Sequence, residues 1–234
     1  MNRLIDMNAD LGEGFPWDRS ILEIVTSTSI CCGAHAGSPD AIRATLEAAI
    51  ERRVVLGAHP GYLDPEGFGR RPMSLNAECV RDLVVEQVET LRSWAKTLGG
   101  TIAYLKPHGA LYNQAQFEPE IADGMVQASE RLRLPLFGLP DGLLSSLAAR
   151  RGLGYYAEGF PDRGYRSDGS LIPRGEPGAT LREPDEVERN LASILRRPID
   201  TLCIHGDDPH AVDLARLVRD RLEARRYVVG SSLA

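Results

Sequence analysis

The chain holds five histidines, and four of them follow short apolar runs. His35 comes after Ile30-Cys31-Cys32-Gly33, His59 after Val54-Val55-Leu56-Gly57-Ala58, and His108 after a run that ends Leu105-Lys106-Pro107. His205 closes Leu202-Cys203-Ile204. An imidazole titrates near neutrality, so residues placed in this way serve as acids, bases or metal ligands. Polar groups recur at comparable places. Asn8, Asp10 and Glu13 follow the first run, Glu158 and Asp162 the sixth, Asp207 and Asp208 the seventh. A carboxylate beside an imidazole acts as a base, orients the ring or shares a metal. Lys106 stands two residues before His108, where burial would lower its pKa and let it exchange a proton. Arg70 and Arg163 lie in glycine-flanked loops, where a guanidinium can clamp a carboxylate or phosphate. Plainer readings stand beside these. Asp10 and Glu13 suit turn chemistry around Gly12 and Gly14, Asp207 and Asp208 suit capping of the last helix, and Arg71 suits a surface ion pair. His210 lies outside the pattern and reads as a surface residue.

These residues need elements that hold them. Seven short β-branched or apolar runs predict strands at 4–8, 28–32, 54–58, 102–106, 134–138, 154–157 and 201–205. Such runs without alternation fit a parallel sheet covered on both faces. Amphipathic stretches predict helices at 39–52, 76–98, 118–131, 142–151, 184–196 and 209–225. Ser38 before Pro39 is a good start signal, Ser74 or Asn76 can cap the longest helix, and Gly99-Gly100 ends it. Residues 227–229 offer a short eighth strand. The repeated strand-helix rhythm, without a linker, predicts one domain over 1–234. A closed barrel is favoured over an open doubly wound sheet, because polar residues follow nearly every strand rather than one crossover. In such a barrel the carboxyl ends of all strands share one face, so the histidines and acids are expected to converge there.

Composition narrows the function. With 43% hydrophobic and 26% charged residues, the chain reads as an ordinary globular protein. A net charge of -6 gives no support to nucleic-acid binding. No run approaches the roughly 20 apolar residues of a membrane span, and Met1–Asp10 lacks the apolar core of a secretory signal. Cys31, Cys32, Cys79 and Cys203 include no CxxC pair, and read as reduced, small apolar fillers of a cytoplasmic protein. Neither GxGxxG after a strand nor GxxxxGK[ST] occurs, so any ATP chemistry is unconventional or belongs to a partner. His35 and His59 with Asp10 offer two nitrogens and one oxygen for a zinc-like ion, without HExxH or dense Cys/His spacing; a divalent metal is left open.

Several segments carry a resemblance. They are Ile5 to Phe15 (IDMNADLGEGF), Cys32 to Gly37 (CGAHAG), Gly57 to Tyr62 (GAHPGY) and Gly67 to Arg71 (GFGRR). Lys106 to Asn113 (KPHGALYN), Asp162 to Tyr165 (DRGY) with Asp168-Gly169, and His205-Gly206-Asp207 follow in order. With these motifs the chain resembles the LamB/YcsF family over nearly its whole length. The resemblance implies an α/β fold: a distorted seven-stranded β/α barrel, TIM-like and similar to glycoside hydrolases and sugar deacetylases. It implies ATP-dependent hydrolysis of 5-oxoproline to L-glutamate, in a complex with two subunits that look like allophanate-hydrolase domains. Ala34 stands where the family usually has an aromatic residue.

Within that reading Asp10 or His59 serves as general base, while Lys106 and His108 stabilise charge or deliver a proton. Arg163 and Asn8 orient the substrate carboxylate, and Glu13, His35, Arg70, Asp162, Tyr165 and His205 complete the substrate-binding set. Two rivals are a stand-alone metal-dependent amidase or deacetylase and a lactam-binding subunit without chemistry of its own. The number of titratable groups disfavours the last.

Overall fold

Alternation within the first strand sets the architecture. In the computed structural model, which describes residues 3–233, β1 (Leu4–Leu11) is followed by six parallel partners. Ile5, Met7, Ala9 and Leu11 join the apolar core, while Asp6, Asn8 and Asp10 are equally buried on the other face. A strand with one apolar and one polar buried face needs a polar interior, because buried polar groups require partners. The barrel supplies it. Asp6 accepts from Ser27 and Thr201, Asn8 donates to Glu158 and Thr201, and Ser29 bonds the Tyr104 hydroxyl.

The remaining strands are β2 (Ser27–Cys31), β3 (Val55–His59), β4 (Ile102–Leu105), β5 (Leu136–Gly138), β6 (Tyr155–Gly159) and β7 (Thr201–His205). Each pairs with the next, and β1 pairs with both β2 and β7, which closes a seven-stranded parallel barrel. A short β8 (Val228–Val229) pairs with Leu4 and Ile5 alone. Helices α1 (Asp18–Ile21), α2 (Pro39–Glu51), α3 (Ala77–Thr97), α4 (Gly109–Ala115), α5 (Pro119–Leu132), α6 (Leu143–Arg150), α7 (Pro184–Ile194) and α8 (Ala211–Ala224) lie between the strands. Their buried faces, such as Val80, Val84, Val88 and Leu91 of α3, complete the outer apolar layer. Each such side chain contributes about 1.5–3 kcal/mol of burial. Ser38 caps α2 through the Ala41 N–H, and Asn76 caps α3 through the Cys79 N–H. Among the described residues no helix is long and apolar enough to cross a membrane.

Two expectations change. The strands do alternate, since the barrel interior is polar while the helix-facing side is apolar. For that reason β1 runs on through Asn8 and Asp10 to Leu11, and Glu158 lies inside β6. Two short helices, α1 and α4, also went unpredicted. At 4 and 7 residues they are too short for a helical period to declare itself.

Candidate active site

The centre of the site is a buried ion-pair group built across the barrel. Asp10 projects from β1, Glu158 from β6 and Cys203 from β7, and Lys106 directly follows β4. Lys106 Nζ lies 2.8 Å from Asp10 Oδ1, 2.8 Å from Glu158 Oε1, 3.0 Å from Cys203 Sγ and 3.2 Å from Asn8 Oδ1. Burial disfavours the ammonium, yet the Asp10 and Glu158 carboxylates outweigh it and hold the Lys106 pKa well above its ordinary value. This corrects the expectation of a lowered pKa. Burial also disfavours the Asp10 carboxylate, but His59 and Lys106 hold it well below the usual range. A fixed charge pair results, with carboxylate and ammonium both ionised at neutral pH.

Three imidazoles surround Asp10 and Glu13. His59 ends β3; its Nδ1 donates to the Lys106 carbonyl at 2.9 Å and its Nε2 lies 3.3 Å from Asp10 Oδ2. His108 precedes α4; its Nε2 donates to the Phe68 carbonyl at 2.8 Å, and its Nδ1 lies 3.0 Å from His59 Nε2. His35 stacks on His108 with centroids 3.7 Å apart and planes 1° from parallel. Its Nε2 lies 3.2 Å from Glu13 Oε1 and 3.4 Å from Cys31 Sγ. Burial keeps His108 well below its ordinary pKa and brings His35 down to about 2, so both rings are neutral. Burial, with Asp10 and Asp207 nearby, pushes Glu13 well up. Gly69, at φ +66°, packs directly on the rings: a Cβ there would sit 2.8 Å from His35 Cβ and 2.9 Å from His108 Cδ2.

A cavity of about 160 Å³ opens over this group. Asp10, His59, Lys106 and His108 all line it, as do Phe160 and His205. Three guanidinium groups, from Arg70, Arg163 and Arg174, complete its wall. Arg70 and Arg174 share one carboxylate, Asp207. Arg163 donates from Nε to the Ala179 carbonyl at 2.8 Å and from a terminal nitrogen to Ile172 at 2.7 Å; burial and Arg174 push its pKa down to about 10. His205 Nδ1 is held at 2.8 Å by Asp162 Oδ2. The wall therefore carries three cations against one paired carboxylate and suits an anion.

The predicted residues divide in two. Asp10, His59, Lys106, His108, Arg70, Arg163 and His205 reach the cavity. Asn8, Glu13, His35, Asp162 and Tyr165 stand behind its lining. Asn8 is fully enclosed, with its amide engaged by Glu158, Thr201 and Lys106. Tyr165 is occupied as acceptor for the Phe160 N–H. The exposed Arg71 pairs with the buried Asp64 as well as with the exposed Glu66, and His210 is exposed at the start of α8. Asp208 accepts from the His210 N–H, whereas Asp207 turns to the arginines instead of capping the helix. Cys203 is no apolar filler, since its sulfur touches Lys106. Arg174 escaped sequence reading, because the surrounding Pro173 and Gly175 mark only a loop. For a metal, the ligand atoms of Glu13, His35, His59 and His108 all lie within 4.8 Å of one another. Asp10 belongs instead to a second such group with Cys203 and His205, so the expected trio of His35, His59 and Asp10 is not the one that gathers.

The chain is 43% identical to a 5-oxoprolinase subunit from Methylococcus capsulatus, over 99% of this chain and 96% of that protein. The crystal structure of lactam utilization protein from Thermus thermophilus is similar at TM-score 0.88 and 36% identity, covering 97% of this chain and 99% of that one. A peptidoglycan N-acetylglucosamine deacetylase catalytic domain from Eubacterium rectale shares the fold at TM-score 0.57 and 12% identity, over 100% of this chain and 91% of that one. Residues 5–232 match the LamB/YcsF family model, and the chain belongs to that family.

Proposed function

We propose that this chain is the lactam-opening barrel component of an ATP-dependent 5-oxoprolinase, which converts 5-oxoproline to L-glutamate. The observation that carries this reading is the fixed Asp10–Lys106 pair, with His59 and His108, at the floor of a cavity walled by three arginines. Full-length likeness to a 5-oxoprolinase subunit supports it. The complex contains two further subunits that resemble allophanate-hydrolase domains, and its need for ATP fits the cytoplasm.

A five-membered lactam is a poor electrophile, and ATP answers that weakness. Transfer of the γ-phosphoryl group to the carbonyl oxygen releases ADP and makes the ring carbon reactive. Water then adds to that carbon. Asp10, kept ionised by Lys106 and His59, accepts the water proton. The C–N bond breaks as the ring nitrogen is protonated, leaving an acyl phosphate. A second water releases phosphate and completes glutamate, so two waters and one ATP are consumed. Lys106 stays charged and stabilises the developing oxyanion. Arg163 and Arg174 take the substrate carboxylate, the role that the enclosed Asn8 does not fill.

The test is glutamate release from 5-oxoproline by the reconstituted complex, with and without ATP and with each component omitted in turn. Turnover is expected only with ATP and the full set, and Asp10→Asn, Lys106→Ala and His108→Ala are expected to abolish it. Near-normal turnover in all three variants removes the assignment. Activity of the lone chain without ATP would point to a stand-alone amidase.

A further inference from the structure

Two buried ring nitrogens face each other in this site. His59 spends its Nδ1 proton on the Lys106 carbonyl, and His108 spends its Nε2 proton on the Phe68 carbonyl. A carbonyl only accepts, so both assignments are forced. The ring atoms left to meet each other are His59 Nε2 and His108 Nδ1, 3.0 Å apart. Glu13 brings a carboxyl oxygen, Oε1, to 3.5 Å from His108 Nδ1 and 3.2 Å from His35 Nε2. Ring nitrogens and a carboxyl oxygen held this close in a buried space need a shared proton or a metal ion between them.

One proton relieves a single contact; one metal ion relieves all of them. We propose that Glu13, His35, His59 and His108 hold one divalent transition-metal ion of the Zn2+ class. The spacing supports this. A metal–ligand distance of about 2.05 Å puts tetrahedral donors about 3.3 Å apart. The three separations of 3.0, 3.2 and 3.5 Å bracket that value. The distal N–H groups of His59 and His108 are anchored on carbonyls, the arrangement that orients a metal-ligating imidazole. Three imidazoles and one carboxylate favour Zn2+ or a neighbouring first-row ion over Mg2+ or Ca2+. His35 is the loosest corner: its ring lies parallel to that of His108 and must tilt to aim Nε2 at the same ion, and its Nδ1 has no hydrogen-bond partner among the described residues to oppose that tilt. His59 and His108 also line the cavity, so the ion lies at its floor. None of this depends on the lactam reading.

The test is metal binding by the folded full chain after chelation, without substrate. Calorimetric titration with Zn2+ is expected to saturate at one ion per chain and to raise the melting temperature. Co2+ is expected to give the visible absorption of a four-coordinate ion. His59→Ala and His108→Ala should weaken Zn2+ binding by more than the roughly 10–100-fold cost of an outer-shell change. Glu13→Gln, nearly isosteric, should weaken it too and covers the case in which the histidine variants misfold. The exposed His210→Ala should bind as the parent does. No saturable binding of Zn2+ or Co2+ by the parent chain overturns the proposal. So does undiminished binding by folded Glu13→Gln or His108→Ala.

Discussion

The ammonium of Lys106 lies 2.8 Å from the carboxylate of Asp10, and both side chains are almost wholly shielded from water. Removing one partner strands the other. Lys106→Met is expected to cost about 3–5 kcal/mol of stability, as for a broken buried ion pair. Asp10→Asn should fold better, since its amide still contacts the ammonium, but should lower kcat by about 100-fold or more through loss of the base. Chemical denaturation and steady-state kinetics separate the two effects. Equal stability of Lys106→Met and the parent would show that the pair does not hold the site together.

Asp6 predicts a pH dependence. It is buried at the far end of the same polar column, and burial raises its pKa despite hydrogen bonds from Thr201, Ser27 and Thr26. The folded state therefore keeps the proton at pH values where the unfolded chain, with a pKa of about 3.9, has lost it. This contribution is fully present below that value and is lost as pH rises through the folded pKa. Asp6→Asn removes it. Across pH 4 to 7, urea unfolding should show parent stability declining relative to Asp6→Asn. Parallel curves would mean that Asp6 titrates normally.

Arg174 is the anion-binding candidate that structure added. It lines the cavity, is partly exposed, and shares Asp207 with Arg70. A lost charge-assisted hydrogen bond is worth about 1.5–3 kcal/mol. Arg174→Ala should therefore raise KM for 5-oxoproline about 10- to 100-fold, with a smaller change in kcat and an unchanged melting temperature. A fall in kcat at constant KM would place Arg174 outside substrate binding.

The reach of the sequence followed physical lines. Apolar runs bounded by glycine revealed the seven barrel strands, and histidines at their ends revealed the face where chemistry gathers. Residues inside the barrel were harder to place. Asn8 read as a substrate ligand because polar residues usually mark a strand's end, whereas here Asp6, Asn8 and Asp10 continue the strand into a polar interior. Arg174 and the contact between Cys203 and Lys106 depend on pairings across about a hundred residues or a long loop, which no local spacing encodes. The direction of the Lys106 pKa change is illegible in the sequence for a related reason. Burial was foreseeable, but not the two carboxylates that oppose it.

The cysteines give a last prediction, which needs no activity assay. Cys31, Cys32 and Cys203 are buried and Cys79 is exposed on α3. Burial raises the thiol pKa of Cys31 to about 12, and raises those of Cys32 and Cys203 well above the ordinary value. The thiolate is the nucleophile, so these three lack both access and the reactive form. Folded protein treated with iodoacetamide at neutral pH should therefore gain one adduct per chain, at Cys79, and unfolding should release the other three sites. Peptide mass spectrometry reads the positions. Rapid native labelling of Cys203 would show that the barrel opens around Lys106, and the sealed charge pair would have to be redrawn as one that water reaches.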